Sequence, residues 1–118
     1  MSLLAISELF RASLFRTGDL EEAIRETRRR VVAAEKILAL VAEVASIPVE
    51  QVRTGQRTPE IVARWVAALL LAEAGYTPND LLRAMSWDRL TAHRADANRT
   101  RPDVEDLLLR VRARRLSQ

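Results

Sequence analysis

The stretch Thr77-Pro78-Asn79-Asp80-Leu81-Leu82-Arg83-Ala84-Met85-Ser86-Trp87-Asp88-Arg89-Leu90-Thr91-Ala92-His93-Arg94-Ala95 decides how the chain reads. It predicts two short helices with a tight turn between them. Thr77 can cap the first, Pro78 suits its first helical position, and Asp80, three residues after Thr77, completes a capping-box pattern. Leu81, Leu82 and Met85 are then available to face a core. The chain turns around Ser86-Trp87, and Asp88 can cap a second helix opening with Arg89-Leu90-Thr91.

At about 100° per residue, Ala92, Ala95 and Arg99 fall on one side of that second helix with the Asp88 cap. The small alanines would let it lie close against a neighbour. The opposite side carries Arg89, Leu90, His93, Arg94 and Ala97. A short helix, a turn and a second helix with polar and basic side chains form the outline of a helix-turn-helix DNA reader. Arg can reach guanine, Asp or Thr can meet base edges, and an exposed Leu can touch a thymine methyl. An ordinary surface helix with solvated arginines fits the same residues.

Upstream, Thr58-Pro59-Glu60 starts a helix that runs through Ile61, Val62, Trp65, Val66, Leu69, Leu70 and Leu71 to Gly75. It is apolar nearly all round and should be the buried axle, with Trp65 in the core. Before it, Arg53-Thr54-Gly55-Gln56-Arg57 reads as a polar loop able to lay guanidinium groups along a phosphate backbone. Pro48 to Val52 is a short helix, and Ser46-Ile47-Pro48 ends a long one from about Leu20 to Ala45. In that long helix Ile24, Val31, Leu38 and Ala45 recur every seven residues, with Thr27, Ala34 and Val41 between them. The stripe suits either packing within the chain or a dimeric coiled coil. Arg28-Arg29-Arg30 reads as a solvated basic face near Glu22 and Glu26. A first helix is expected over residues 2–15, ended by Gly18. Downstream, Pro102 opens a last helix with Asp103, Glu105 and Asp106 in its first turn and Arg110, Arg112, Arg114 and Arg115 toward its end, an order that complements the helix dipole.

The 118 residues suffice for one domain with a real core. Hydrophobic content of 48% and charged content of 30% are ordinary for a globular chain, and scarce Gly with no β-branched alternation argues for an all-α fold. The net charge is only +3, yet from Arg83 onward nine Arg face five Asp or Glu, an excess of four. Every basic residue except Lys36 is Arg, the better bidentate partner of phosphate and guanine, although a GC-rich genome would have the same effect. With no Cys there is no disulfide, thiolate nucleophile or zinc-thiolate site. No apolar run suits a membrane span and no secretory leader pattern opens the chain, so a cytoplasmic location is the simplest expectation. His93 is the only histidine and has no thiol or nearby Ser to activate, so neither an enzyme nor a cofactor or metal site is expected.

Residues from about Val32 to Leu116 resemble the C-terminal duplex-DNA-binding domain of the bacterial replication initiator DnaA. Val41-Ala42-Glu43-Val44-Ala45-Ser46-Ile47-Pro48-Val49 is similar to the family's helix leading into a Val-Ala-Glu segment. Arg53 to Arg57 stands in place of its basic loop, and the helix around Val62-Ala72 in place of its Ala- and Leu-rich one. Trp87-Asp88-Arg89-Leu90-Thr91-Ala92-His93-Arg94-Ala95 aligns with its Arg-Asp-His-Thr-Thr-Val and Leu-His-Ala signature. Asp88 and Thr91 match directly. Arg89 replaces the family's His and Leu90 its first Thr, the turn is about one residue shorter, and the loop is thinner.

The resemblance implies a Trp-repressor-like helix-turn-helix bundle over residues 31–118, preceded by a helical extension over 1–30. It implies base contacts from Asp88, Arg89, Leu90, Thr91 and His93, and backbone contacts from Arg53, Arg57, Thr77, Arg94 and Arg99. No Gly-x-x-x-x-Gly-Lys-Ser/Thr loop is present, so nucleotide binding and origin melting are not expected. A stand-alone transcription regulator, with prophages or gene transfer agents as one setting, is the leading expectation. The alternatives are a helical protein-interaction or dimerisation module working through the N-terminal helices, and an accessory replication factor.

Overall fold

The structure, a computed structural model, describes residues 20–118. The helix expected over residues 2–15 and the Gly18 cap lie outside the described residues. Within them the chain forms six helices and no strand: α1 (Leu20–Ala45), α2 (Val49–Thr54), α3 (Thr58–Glu73), α4 (Pro78–Met85), α5 (Arg89–Ala97) and α6 (Pro102–Leu116). The fold is all-α. Among the described residues no helix is long and apolar enough to cross a membrane.

Helix α3 is the axle because its sequence leaves it no polar face. Val62, Ala63, Val66, Ala67, Ala68, Leu69, Leu70 and Leu71 are all buried, and α1, α2, α5 and α6 all pack on it. The stripe of α1 is used within the chain: Ala34, Ile37, Leu38, Val41 and Ala42 are buried in the same core. From α6 come Val104, Leu107 and Val111. That helix is also stapled by its arginines. Arg110 donates to the Val44 carbonyl at 3.1 Å, Arg114 pairs with Glu43 at 3.1 Å, and Arg112 pairs with Glu73.

Three helix ends close through residues in the left-handed region. Gly75 (φ 96°) follows α3, and the Tyr76 N–H then reaches the Leu71 carbonyl at 3.0 Å. Ser46 (φ 57°) follows α1, with Ile47 N–H on Ala42 at 3.0 Å, and Ser86 (φ 60°) follows α4. Each supplies donors to carbonyls the helix leaves open.

Two core assignments need correction. Leu82 faces solvent, whereas Leu81, Ala84 and Met85 are buried. Residues 81, 84 and 85 share one helical face, and Leu82 lies about 100° round from Leu81. Trp65 is only half-buried at the core's edge, its ring beneath the Arg101 guanidinium at 5.4 Å. The buried indole belongs to Trp87, 4% exposed, in the turn between α4 and α5.

Candidate nucleic-acid interface

Helices α4 and α5 pack on each other, and the chain between them is only Ser86, Trp87 and Asp88. Both helices are capped locally. The Thr77 hydroxyl accepts from the Asp80 N–H at 3.2 Å, and Asp80 Oδ2 accepts the Thr77 N–H at 2.9 Å. Asp88 Oδ1 accepts the Thr91 N–H at 2.9 Å and the Thr91 hydroxyl at 3.2 Å. These bonds satisfy donors that a helix start exposes. They also occupy the Thr77 amide, so at the start of α4 only the Asn79 N–H is left to meet an outside anion, Pro78 having none.

The two-helix unit is anchored at its start and at its turn by polar bonds to distant residues. Asp80 Oδ2 also accepts from Arg30 Nη2 at 2.9 Å, an ion pair whose side chains are 21% and 14% exposed. The Arg30 guanidinium lies 5.1 Å from the centre of the Tyr76 ring, and the Tyr76 hydroxyl donates to the Arg30 carbonyl. Burial pushes the Tyr76 phenol above its ordinary pKa, opposed by the Arg30 charge. Arg30 is therefore a bridge from α1 to α4 rather than part of a solvated face; Arg29, by contrast, pairs with Glu22 at 3.2 Å on the surface.

At the turn, the Trp87 indole N–H donates to the Arg53 carbonyl at 3.0 Å. This is one of four bonds that satisfy the last carbonyls of α2, an end with no periodic continuation of its own. The Gln51 carbonyl accepts from Gly55 N–H (2.7 Å), Val52 from Arg64 Nε (2.9 Å) and Thr54 from Gln56 Nε2 (3.1 Å). Arg64 also reaches the Gly55 carbonyl. Burial lowers the Arg64 pKa while Glu60 raises it, and the group stays charged. Buried Glu60 accepts the Arg57 N–H at 2.9 Å and so starts α3. Segment 53–57 is thus a built structure attached to the turn between α4 and α5.

The residues singled out from sequence divide by exposure. On α5, Leu90 is 53% exposed, His93 and Arg94 are exposed, and Thr91 is half-buried beside its cap. Arg89 is exposed and donates from Nη2 to Asn79 Oδ1 at 2.8 Å. The Arg94 guanidinium has no hydrogen bond or ion pair among the described residues. Ala95 is buried and Ala92 half-buried, so the alanine face packs inward. Arg57 projects with 81% of its side chain exposed, 3.9 Å from Glu60. Arg53 departs from the loop reading: it sits in the last turn of α2 with a side chain only 20% exposed, 3.9 Å from Glu50. What it contributes to the turn is its carbonyl. Arg99 lies past the end of α5 and pairs with Asp96 at 3.6 Å.

A surface groove of about 920 Å³ runs along α1 past Arg29, Arg30, Lys36, Leu40, Tyr76 and Arg115, and no residue of α5 lines it. Among the described residues no cluster of His, Asp and Glu could hold a metal ion. Asn79, Arg30 and Arg64 are the positioning residues that sequence reasoning missed. Their partners lie ten, fifty and about ten residues away, where no helical period connects them. No family model, curated protein or solved structure matches the chain.

Proposed function

We propose that the protein binds duplex DNA sequence-specifically, as the resemblance to the DnaA C-terminal domain implies, and acts as a stand-alone transcription regulator. The observation that carries this reading is the asymmetry of α5. Of its nine residues only Ala95 is fully buried, and Arg89, Leu90, His93 and Arg94 stand outward. A helix anchored by two alanines, with a basic outer flank and a second short helix braced beside it, suits insertion into a major groove. Arg89, Leu90 and His93 would meet base edges. Asp88 and Thr91, joined to each other, would sit at the groove end of the helix. Arg94, Arg57 and Arg99 would hold phosphates, and the Arg53 carbonyl fixes segment 53–57 against the turn.

The test is selection of bound duplexes from a random pool, followed by titration of the winner at several salt concentrations. Arg89→Ala is expected to cost about 1–3 kcal/mol and relax one base position. Arg57→Ala or Arg94→Ala should weaken all duplexes alike and reduce the salt slope by about 1. Unchanged affinity of the selected duplex for a variant with Arg89, Thr91 and Arg94 all replaced by Ala would sink the placement.

A further inference from the structure

We infer that Asn79 is a specificity-positioning residue: it holds Arg89 in place so that the pair acts as one guanine-reading unit spanning the starts of α4 and α5. The inference rests on the DNA-binding reading above and adds to it a residue from the first helix of the unit.

The geometry is particular. Asn79 is the second residue of α4 and Arg89 the first of α5, ten residues apart, yet Arg89 Nη2 lies 2.8 Å from Asn79 Oδ1. Both side chains belong to exposed residues, so the bond stands at the surface rather than inside the fold. Turning the amide over would set its NH2 donors against guanidinium donors, so the bond fixes which way Asn79 faces. It uses one of the five guanidinium N–H groups and leaves four, including the second hydrogen on Nη2 and both on Nη1. A guanine edge offers two acceptors, O6 and N7, and two adjacent N–H groups of a planar guanidinium match them.

The same bond argues against the other reading of an Asn at such a surface. Asn recognises adenine by accepting from N6 through Oδ1 while donating to N7. Here Oδ1 is turned to Arg89, so the amide is aligned to its neighbour rather than to a base. An unrestrained Arg must give up the freedom of a long side chain when it meets a base. One already tethered gives up less, and less of its binding leaks to neighbouring acceptors. The tether therefore affects discrimination among bases more than attraction to the duplex as a whole.

The measurement uses the full chain and the duplex it selects from a random pool, with all four base pairs substituted in turn at the position that Arg89→Ala relaxes. Asn79→Ala is expected to lower the preference for guanine there about three- to tenfold, while affinity for random duplex and the thermal midpoint stay as in the parent. Asn79→Asp keeps an acceptor for Arg89, so it should retain the guanine preference yet weaken all duplexes together through its charge. An Asn79→Ala protein with undiminished guanine preference overturns the inference and leaves DNA binding standing. A parent protein that enriches no duplex overturns both.

Discussion

Replacing Gly55 with Ala is the most direct trial of how segment 53–57 is held. The backbone there (φ −65°, ψ 153°) is one that any residue adopts, so conformation alone favours the change. Reduced freedom of the unfolded chain would add about 0.4–1 kcal/mol of stability. Space opposes it. A methyl at this position would fall inside contact distance of Glu60 Cδ and Oε1, and 2.5 Å from the Gln51 carbonyl oxygen. Neither neighbour yields easily. The Gln51 oxygen is main chain and already accepts the Gly55 N–H, and Glu60 is 6% exposed and holds the Arg57 N–H that starts α3. Overpacking of this kind costs about 1–3 kcal/mol, and displacing the Glu60 cap adds about 0.5–2 kcal/mol. The clash should win, with a net loss of about 0.5–4.5 kcal/mol. Urea unfolding followed by tryptophan fluorescence would show a lower midpoint with an unchanged slope. In a Glu60→Ala background the penalty should shrink, because one of the two obstacles is gone. A neutral or stabilising Gly55→Ala in the parent protein would refute the steric account of this loop.

Two further expectations concern the connections on either side of α4. Ser86→Gly should raise stability by about 0.5–1 kcal/mol, since Ser86 is exposed and holds φ 60° without the freedom that Gly has there; an unchanged melting midpoint would show the turn to be unstrained. Tyr76 is the chain's one tyrosine, so alkaline titration of phenolate absorbance reads it alone. Its pKa is raised in the fold, which favours the protonated phenol: the stability it contributes is full below the unfolded value of about 10 and is lost as pH climbs through the higher folded value. The native midpoint should therefore lie above that of the urea-unfolded chain, and equal midpoints would count against burial of the hydroxyl on the Arg30 carbonyl.

What could be read from the sequence follows from the range of each signal. The limits of α1, the cap at Thr77, the cap at Asp88 and the apolar α3 all rest on residues within one or two turns of each other, and the chain states them directly. The inward alanines and outward arginines of α5 are likewise a matter of angle along one helix. Trp65 and Trp87 show where this stops. Trp65 belongs to an apolar helix yet lies on its least covered side, under Arg101, whereas Trp87 sits in a turn where periodicity says nothing about burial. Nor does any local pattern announce that Arg30 will find Asp80 or that Trp87 will find the Arg53 carbonyl, because each bond depends on how the helices pack first.

Charge counting is altered most by the structure. The excess of arginine after residue 83 reads from sequence as a broad basic end, but three of those side chains, Arg110, Arg112 and Arg114, are engaged with Val44, Glu73 and Glu43. Val44 and Glu43 are near the end of α1 and Glu73 ends α3, where carbonyl dipoles and carboxylates attract cations. These arginines hold α6 in place and are partly neutralised in doing so. Arg101 does the same beside Asp103, whose carboxyl it holds below the ordinary range. Of the exposed arginines after residue 83, Arg89 and Arg94 lie on the outer flank of α5 with no ion pair among the described residues, and Arg115 lies near the end of α6. The net charge of +3 is a sum over the chain, whereas attraction of a polyanion depends on the local field at the surface it meets.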